Sequence, residues 1–385
     1  MKLAYTAEQN AFRAEVHAWM QANVPPAPLP SFDASRDGFE AHRAWEKTLN
    51  AGQWGMVTWP KEYGGRGLDL IRWLIFEEEY YAARAPLRVN QNGIFLLGPT
   101  LMEFGTPAQK ARFLPKMATG EEIWAQAWSE PQAGSDLAAV RAKAVRDGDH
   151  YVLSGHKIWS SRAVYADWAF GLFRSDPASE RHKGLTLILF PLDAPGVSRQ
   201  PIHQINGEHG FAEVFLDEVR VPVENRLGGD GEGWKICMAT AGFERGLMLR
   251  SPARYQVAAQ ALIALAARHP DLDPVIKAQV AQAAMNAEAY ALSIYATASR
   301  LIAGGSIGAE ASTNKIFWSE MDIALHQAAL AILGPRAELL PEAPAATEAG
   351  TWLDGYLFAL AGPIYAGTNE IQRNIIAERM LGLPR

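Results

Sequence analysis

The chain has a single cysteine, Cys237, among 385 residues, so no intramolecular disulfide can form. Such sparing cysteine use fits a reducing compartment. No uninterrupted apolar run is long enough to cross a bilayer. Basic blocks and an arginine-rich face are both missing and the net charge is −6, which argues against a nucleic-acid partner. The nine histidines show neither a paired helical spacing nor a companion cysteine cluster, so no metal site is expected. His203 and His209, on either side of Asn206-Gly207, read as solvated loop residues. There is no glycine-rich fingerprint of the Rossmann or P-loop type, and nicotinamide or nucleotide-hydrolysing chemistry finds no support. Residues 1–20 mix charged and apolar side chains without a signal peptide's apolar core, and a cytoplasmic protein is expected.

What is present describes a folded globular chain: 49% hydrophobic and 20% charged residues. The length suggests about two to three domains. Phe12, Val16, Trp19 and Met20 form a helical stripe over residues 6–22, with Thr6 placed as a cap before Gln9. Prolines 25, 26, 28 and 30 end it as an extended linker. Helical spacing resumes over 38–50 and 70–84, separated by a loop at 52–67. Two more helices are expected over 90–120, with Thr106-Pro107 as cap and first helical position. The pattern changes at about Ile123. Strands are expected at 140–145, 150–153, 168–173, 185–191 and 211–221, the first two joined by the Asp147-Gly148 turn. After the glycine-rich exit 227–233, helices are expected at 234–249, 255–268, 274–303, 309–333 and 362–380.

Three stretches carry the chemistry. The first is Gln126-Ala127-Trp128-Ser129-Glu130-Pro131-Gln132-Ala133-Gly134-Ser135-Asp136, a hydroxyl-bearing loop in which Pro131 and Gly134 set the backbone. The second is Ser154-Gly155-His156-Lys157-Ile158-Trp159-Ser160-Ser161. The third is Ile364-Tyr365-Ala366-Gly367-Thr368-Asn369-Glu370-Ile371-Gln372-Arg373. In this order, along essentially the whole chain, they resemble the flavin loop, the flavin-flanking tryptophan strand and the active-site turn of the acyl-CoA dehydrogenase family. The resemblance implies an α+β fold: an N-terminal helical domain (1–122), a middle β domain (123–232) and a C-terminal four-helix bundle (233–385). It implies FAD as cofactor, and an enzyme that desaturates an acyl-CoA thioester and passes electrons to an electron-transfer flavoprotein.

Desaturation between the α- and β-carbons requires a carboxylate base, donors for the thioester oxygen and a flavin beside the β-carbon. Many family members carry glutamate directly before the glycine of the third motif; this chain has Ala366. The isovaleryl-CoA and long-chain branches instead place the base in a Glu-Arg step on a helix. The matching step here lies in Gly242-Phe243-Glu244-Arg245-Gly246, making Glu244 the base, with Arg245 beside the substrate. A solvated glutamate paired with Arg245 or Arg250 is the competing account. The Ala366 N–H can still serve the thioester oxygen, since a backbone donor needs no particular side chain.

The resemblance places Gln126, Trp128 and Ser129 along one edge of the flavin and Trp159 and Ser161 on its other side. Thr368 and Glu370 match positions reaching the adenosine and pyrophosphate end, and Ser135 a position near the pantetheine and phosphates of CoA. Trp128 and Trp159 can equally be core aromatics in a chain with 12 tryptophans, and Thr368 can be only a helix cap.

Two family features are missing. No Arg-x-x-Phe-Gly segment follows the Glu244 helix, where Ala267-Arg268-His269-Pro270-Asp271-Leu272 stands. The usual glutamine before the paired glycines is Ala331. Both absent groups normally reach a neighbouring subunit's flavin, and Arg336 or Lys315 is a candidate replacement. The pattern resembles bacterial members acting on bulky or steroid side-chain acyl groups, and implies a homodimer, homotetramer or heterotetramer with a related subunit. An oxygen-using acyl-CoA oxidase or flavin monooxygenase relative, and a subunit completing a partner's flavin site, are the alternatives.

Overall fold

A computed structural model describes residues 4–244, 250–340 and 343–384. Five helices come first: α1 (Ala7–Asn23), α2 (Arg36–Ala51), α3 (Leu70–Ala82), α4 (Gly98–Phe104) and α5 (Pro107–Thr119). The strands follow: β1 (Trp124–Ala127), β2 (Lys143–Asp147), β3 (His150–Ser161), β4 (Trp168–Arg174), β5 (Leu185–Pro191), β6 (Val197–Ile202), β7 (Phe211–Pro222) and β8 (Arg226–Leu227). The chain then returns to helix in α6 (Gly233–Glu244), α7 (Pro252–Ala267), α8 (Pro274–Ile302), α9 (Ala311–Leu333), α10 (Thr351–Ala359) and α11 (Asn369–Arg379).

These elements group into two compact units. One comprises Asn23–Leu68 and Pro86–Glu244; the other Met1–Ala22, Asp69–Ala85 and Arg245–Arg385. In the first unit the strands form one sheet in the order β6-β7-β3-β2-β4-β5-β8, with β1 added parallel to β4. Alternation along β7 buries Ala212, Val214 and Leu216, then shifts phase to bury Val219 and Val221. The phase shift coincides with a break in the β3–β7 register between Leu153 and Gly155, as an extra residue in a ladder requires. β4 and β5 are buried almost throughout, as strands covered on both faces must be. Helix α6 belongs to this unit. It packs on β5 and α4, and the hydroxyls of Thr240 and Thr100 meet at 2.9 Å in the interior.

In the second unit, α7, α8 and α9 pack on one another and α9 also packs on α10 and α11. Arg254 of α7 bonds buried Asp322 of α9 at 3.1 Å. Tyr5, Arg13 of α1 and Tyr295 of α8 converge on Glu78 of α3.

Local chemistry explains many of the bounds. Thr106 caps α5 in a full capping box with Gln109, and Pro107 occupies the first turn. The structure also corrects several expectations. The helix expected at 362–380 begins only at Asn369, because Ala366 (φ 57°) and Gly367 (φ 78°) are left-handed and Thr368 is the cap. The strand expected at 140–145 starts at Lys143, after a 3₁₀ turn at Leu137–Ala139. Residues 92–97 form a π-helical turn running into α4. β1, β6, β8 and α10 carried no periodic signal strong enough to announce them. His203 is exposed as expected, but His209 is half-buried and its Nε2 lies 3.1 Å from the Tyr165 hydroxyl.

Candidate active site

In the sheet-bearing unit, Gln126 is the half-buried residue of β1, paired in register with Phe170. Trp128 follows at the strand's end, its ring edge-on to Phe170 at 5.9 Å. Its indole Nε1 is buried and has no hydrogen-bond partner among the described residues. A buried donor without a partner is costly, so this N–H marks a place where an outside acceptor is wanted. Ser129 is half-buried, and its carbonyl accepts from the Ile158 N–H at 2.9 Å. Farther along, Gly134 has no atom within 4 Å of the place a Cβ would take, and Ser135 is exposed. The glycine is not demanded by crowding from the chain itself.

The second motif lies on β3. Between Lys157 and Ser160 the β3–β7 register slips, and in the slip Trp159 takes φ 57°. A left-handed tryptophan inside a strand is a strained conformation. Its ring is edge-on to Phe211 at 6.0 Å, yet the residue is 56% exposed. Trp159 is therefore no ordinary core aromatic. Ser161 is half-buried two residues on.

Two residues of these motifs, Lys157 and Glu130, were not singled out from the sequence. Lys157 is completely buried, and its ammonium donates to the Trp128 carbonyl (3.2 Å), Glu130 Oε1 (2.8 Å) and the Leu172 carbonyl (2.6 Å). Glu130 also accepts from the Arg141 and Ala142 N–H groups and from Gln132 Nε2. Burial pushes the Glu130 carboxyl up, but Lys157 and these N–H donors outweigh burial and hold it below its ordinary value. A lysine in the inward phase of an alternating strand was the available clue.

In the helical unit, the third motif is a turn. The Gln372 side chain is fully buried and donates to the Ala366 and Gly367 carbonyls. Thr368 caps α11, accepting from the Ile371 N–H at 3.3 Å. Glu370 is exposed; its own backbone N–H and the Thr368 hydroxyl hold its carboxyl below the usual range. Lys315, offered above as a replacement cation, is buried and donates to the Gly362 carbonyl and Asn369 Oδ1, both at 2.8 Å. It braces this turn from inside and is not presented at the surface. Arg336 is exposed. Glu244 is the last residue of α6; its side chain and Arg245 lie outside the described residues. Among the described residues, no cluster of three His, Cys, Asp or Glu can hold a metal ion, and no helix is long and apolar enough to cross a membrane.

An oxidoreductase site with a flat cofactor is what this assembly suits: an uncovered aromatic plane at Trp159, an orphan donor at Trp128, and serines on both motifs. Comparison with known proteins gives the class. Models of the acyl-CoA dehydrogenase N-terminal, middle and C-terminal domains match residues 6–121, 125–219 and 231–381. The chain belongs to the acyl-CoA dehydrogenase family. It is 40% identical to acyl-CoA dehydrogenase IpdE1 of Mycobacterium tuberculosis over 97% of each chain. Among solved structures it resembles the ChsE4-ChsE5 complex of Mycobacterium tuberculosis, at TM-score 0.88 and 32% identity over 100% of both chains. The Tcur3481-Tcur3483 steroid ACAD matches at TM-score 0.88 and 30% identity, again over 100% of both chains. As an oxidoreductase of this family it acts on acyl-CoA and uses FAD, and the donors and aromatic surface of the first two motifs fit that group.

Proposed function

We propose that this chain desaturates a bulky acyl-CoA thioester, of the steroid side-chain kind, between its α- and β-carbons, with Glu244 removing the α-proton. The observation that carries the reading is the company kept by α6. The helix that ends in Glu244 folds in the same compact unit as the two flavin motifs and is pinned there through Thr240. The alternative family position for the base holds alanine, which leaves Glu244 as the position matched to the family's other base site. FAD, when bound, supplies the hydride acceptor. The chain's own residues do the rest. Glu244 takes the α-proton. The Ala366 N–H, which has no acceptor among the described residues, donates to the thioester oxygen as charge develops on it. Trp159 covers the ring and keeps water away. Arg245 and Ser135 contact the CoA ester, Gln126, Ser129 and Ser161 the flavin's edges, and Thr368 and Glu370 its adenosine end. An electron-transfer flavoprotein takes the electrons in the cytoplasm.

Bulky substrates are supported by the names of the similar steroid enzymes. Of the two candidate replacements for the missing Arg-x-x-Phe-Gly segment, Lys315 is committed to the 362–369 turn, which leaves exposed Arg336 of a like subunit, or a related subunit, to supply the cation. The test is dye reduction by the purified protein over short, branched, long and steroidal CoA thioesters, with peroxide, flavin content and assembly mass measured alongside. Turnover of bulky esters with little peroxide supports the reading; abundant peroxide would make the protein an oxidase. Full flavin occupancy in a homo-oligomer would exclude an obligatory partner subunit. A flavin-poor chain rescued by co-expressing a related one would establish it.

A further inference from the structure

We infer that Lys157 is a positioning residue for the flavin: its buried ammonium locks the Trp128–Glu130 loop to β3 at the point where Trp159 turns out of the sheet. The inference rests on assigning these two motifs as the flavin's walls.

The ladder around Trp159 is what makes such a lock necessary. β1 pairs with β4, whereas β3 pairs with β2 and β7, so the two motifs lie on strands that are not ladder neighbours. The β3–β7 register is itself interrupted between Lys157 and Ser160. Ile158 and Trp159 thus lack paired partners on β7. Beside the Lys157–Glu130 ion pair, two links to the first motif remain, made by successive residues to successive carbonyls. The Ile158 N–H donates to the Ser129 carbonyl at 2.9 Å, and the Lys157 ammonium to the Trp128 carbonyl at 3.2 Å. They set the orphan indole N–H of Trp128 and the Ser129 hydroxyl relative to the exposed ring of Trp159.

Stability alone does not account for the choice of lysine. An ammonium in an apolar interior loses its hydration, and a buried ion pair is commonly no better for stability than apolar side chains of the same size. Phe173, 5.0 Å from Nζ, would pack as well against methionine. Lysine brings three donors, and all three are used: two on the loop, at the Trp128 carbonyl and Glu130, and one on the Leu172 carbonyl of β4. Glu130, with its two backbone N–H donors, is fixed at the far side. The ammonium is a three-way joint whose geometry an apolar residue cannot copy.

The experiment uses the full chain with FAD and compares the parent, Glu130→Gln, and the double variant Lys157→Met with Glu130→Gln. The double variant leaves no unpaired buried charge. The expected result is that Glu130→Gln, which leaves the lysine's bond to Trp128 in place, binds FAD nearly as the parent does. The double variant melts no lower than Glu130→Gln, which keeps an unpaired buried ammonium, but binds FAD at least roughly tenfold more weakly, the scale of one hydrogen bond to the flavin no longer held in place. Its bound flavin is also less quenched in fluorescence, because Trp159 is no longer held in place beside it. Parental affinity and quenching in the double variant would overturn the inference, as would its failure to fold, which would make Lys157 a residue of the fold. A Trp159→Ala control separates the two levels. If that variant leaves flavin affinity and fluorescence unchanged, the assignment of the walls is what fails.

Discussion

Gln372 donates its side-chain amide to two consecutive carbonyls, those of Ala366 at 3.1 Å and Gly367 at 3.0 Å. Both residues are left-handed, and for Ala366 that conformation costs about 1–2 kcal/mol. Two hydrogen bonds from a buried amide, each worth about 1 kcal/mol, offset it. Gln372→Leu removes both, and the turn is expected to relax out of the left-handed region. The Ala366 N–H then swings from its position. The expected outcome is a stability loss of about 1–3 kcal/mol together with a fall in turnover larger than the fall in FAD occupancy. Urea unfolding and dye reduction on the same preparations check it; turnover that follows flavin content one for one would count against a role for the turn.

Glu244→Gln keeps shape while removing the proton acceptor. Flavin and CoA-ester binding should persist, and desaturation should fall at least about 100-fold, the lower range for loss of a general base. Single-turnover flavin bleaching with a saturating thioester reads the step directly. Near-parental bleaching would send the search to another carboxylate.

Much of the architecture was legible because its causes are local. The Thr106 cap with Pro107 at the first helical position set the start of α5, and the apolar run Leu185–Pro191 set β5 to the residue. β1 was not legible: Trp-Ala-Gln-Ala is extended because β4 lies beside it, a fact about residue 168 rather than residue 124. The helix start was misplaced to 362 because one of the two left-handed residues that delay it is an alanine, held there by a side chain six positions on. At the site, the motif serines and tryptophans could be picked out, whereas Lys157 looked like any charged residue until three acceptors were found around it. Nothing local told an exposed Trp159 from a buried one.

Acid should unfold the helical unit by a route that one substitution can isolate. Burial pushes the Asp322 carboxyl up, but Arg254 at 3.1 Å and the His326 ring more than offset it and leave it below its ordinary value. A depressed carboxylate stabilises the fold fully above its unfolded value of about 3.9, and that contribution disappears as pH falls through the folded value. Asp322→Asn should cost about 3 kcal/mol near neutrality, the lower end for breaking a buried pair. The gap to the parent should close progressively below about pH 4. Thermal melts from neutral to acid pH give both numbers; a gap that stays constant on acidification would show that Asp322 is not the group titrating.

Trp159 sets stability against function. Glycine at this position relieves a left-handed backbone worth about 1–2 kcal/mol, and part of that gain is returned to the unfolded chain's added freedom. What is lost is the edge-on contact with Phe211, about 0.5–1.5 kcal/mol, and little burial, since the residue is 56% exposed. These contributions nearly cancel, so the flavin-free Trp159→Gly chain should unfold within about 1 kcal/mol of the parent. The ring it removes is the aromatic plane that the flavin would lie against. FAD affinity should therefore drop roughly tenfold or more, and the bound, reduced flavin should reoxidise faster in air because its face is open to solvent. Alanine keeps the strain while losing the ring, so Trp159→Ala should match glycine in flavin binding but be the less stable of the two. A glycine variant that is markedly destabilised yet binds FAD as tightly as the parent would identify Trp159 as a packing residue.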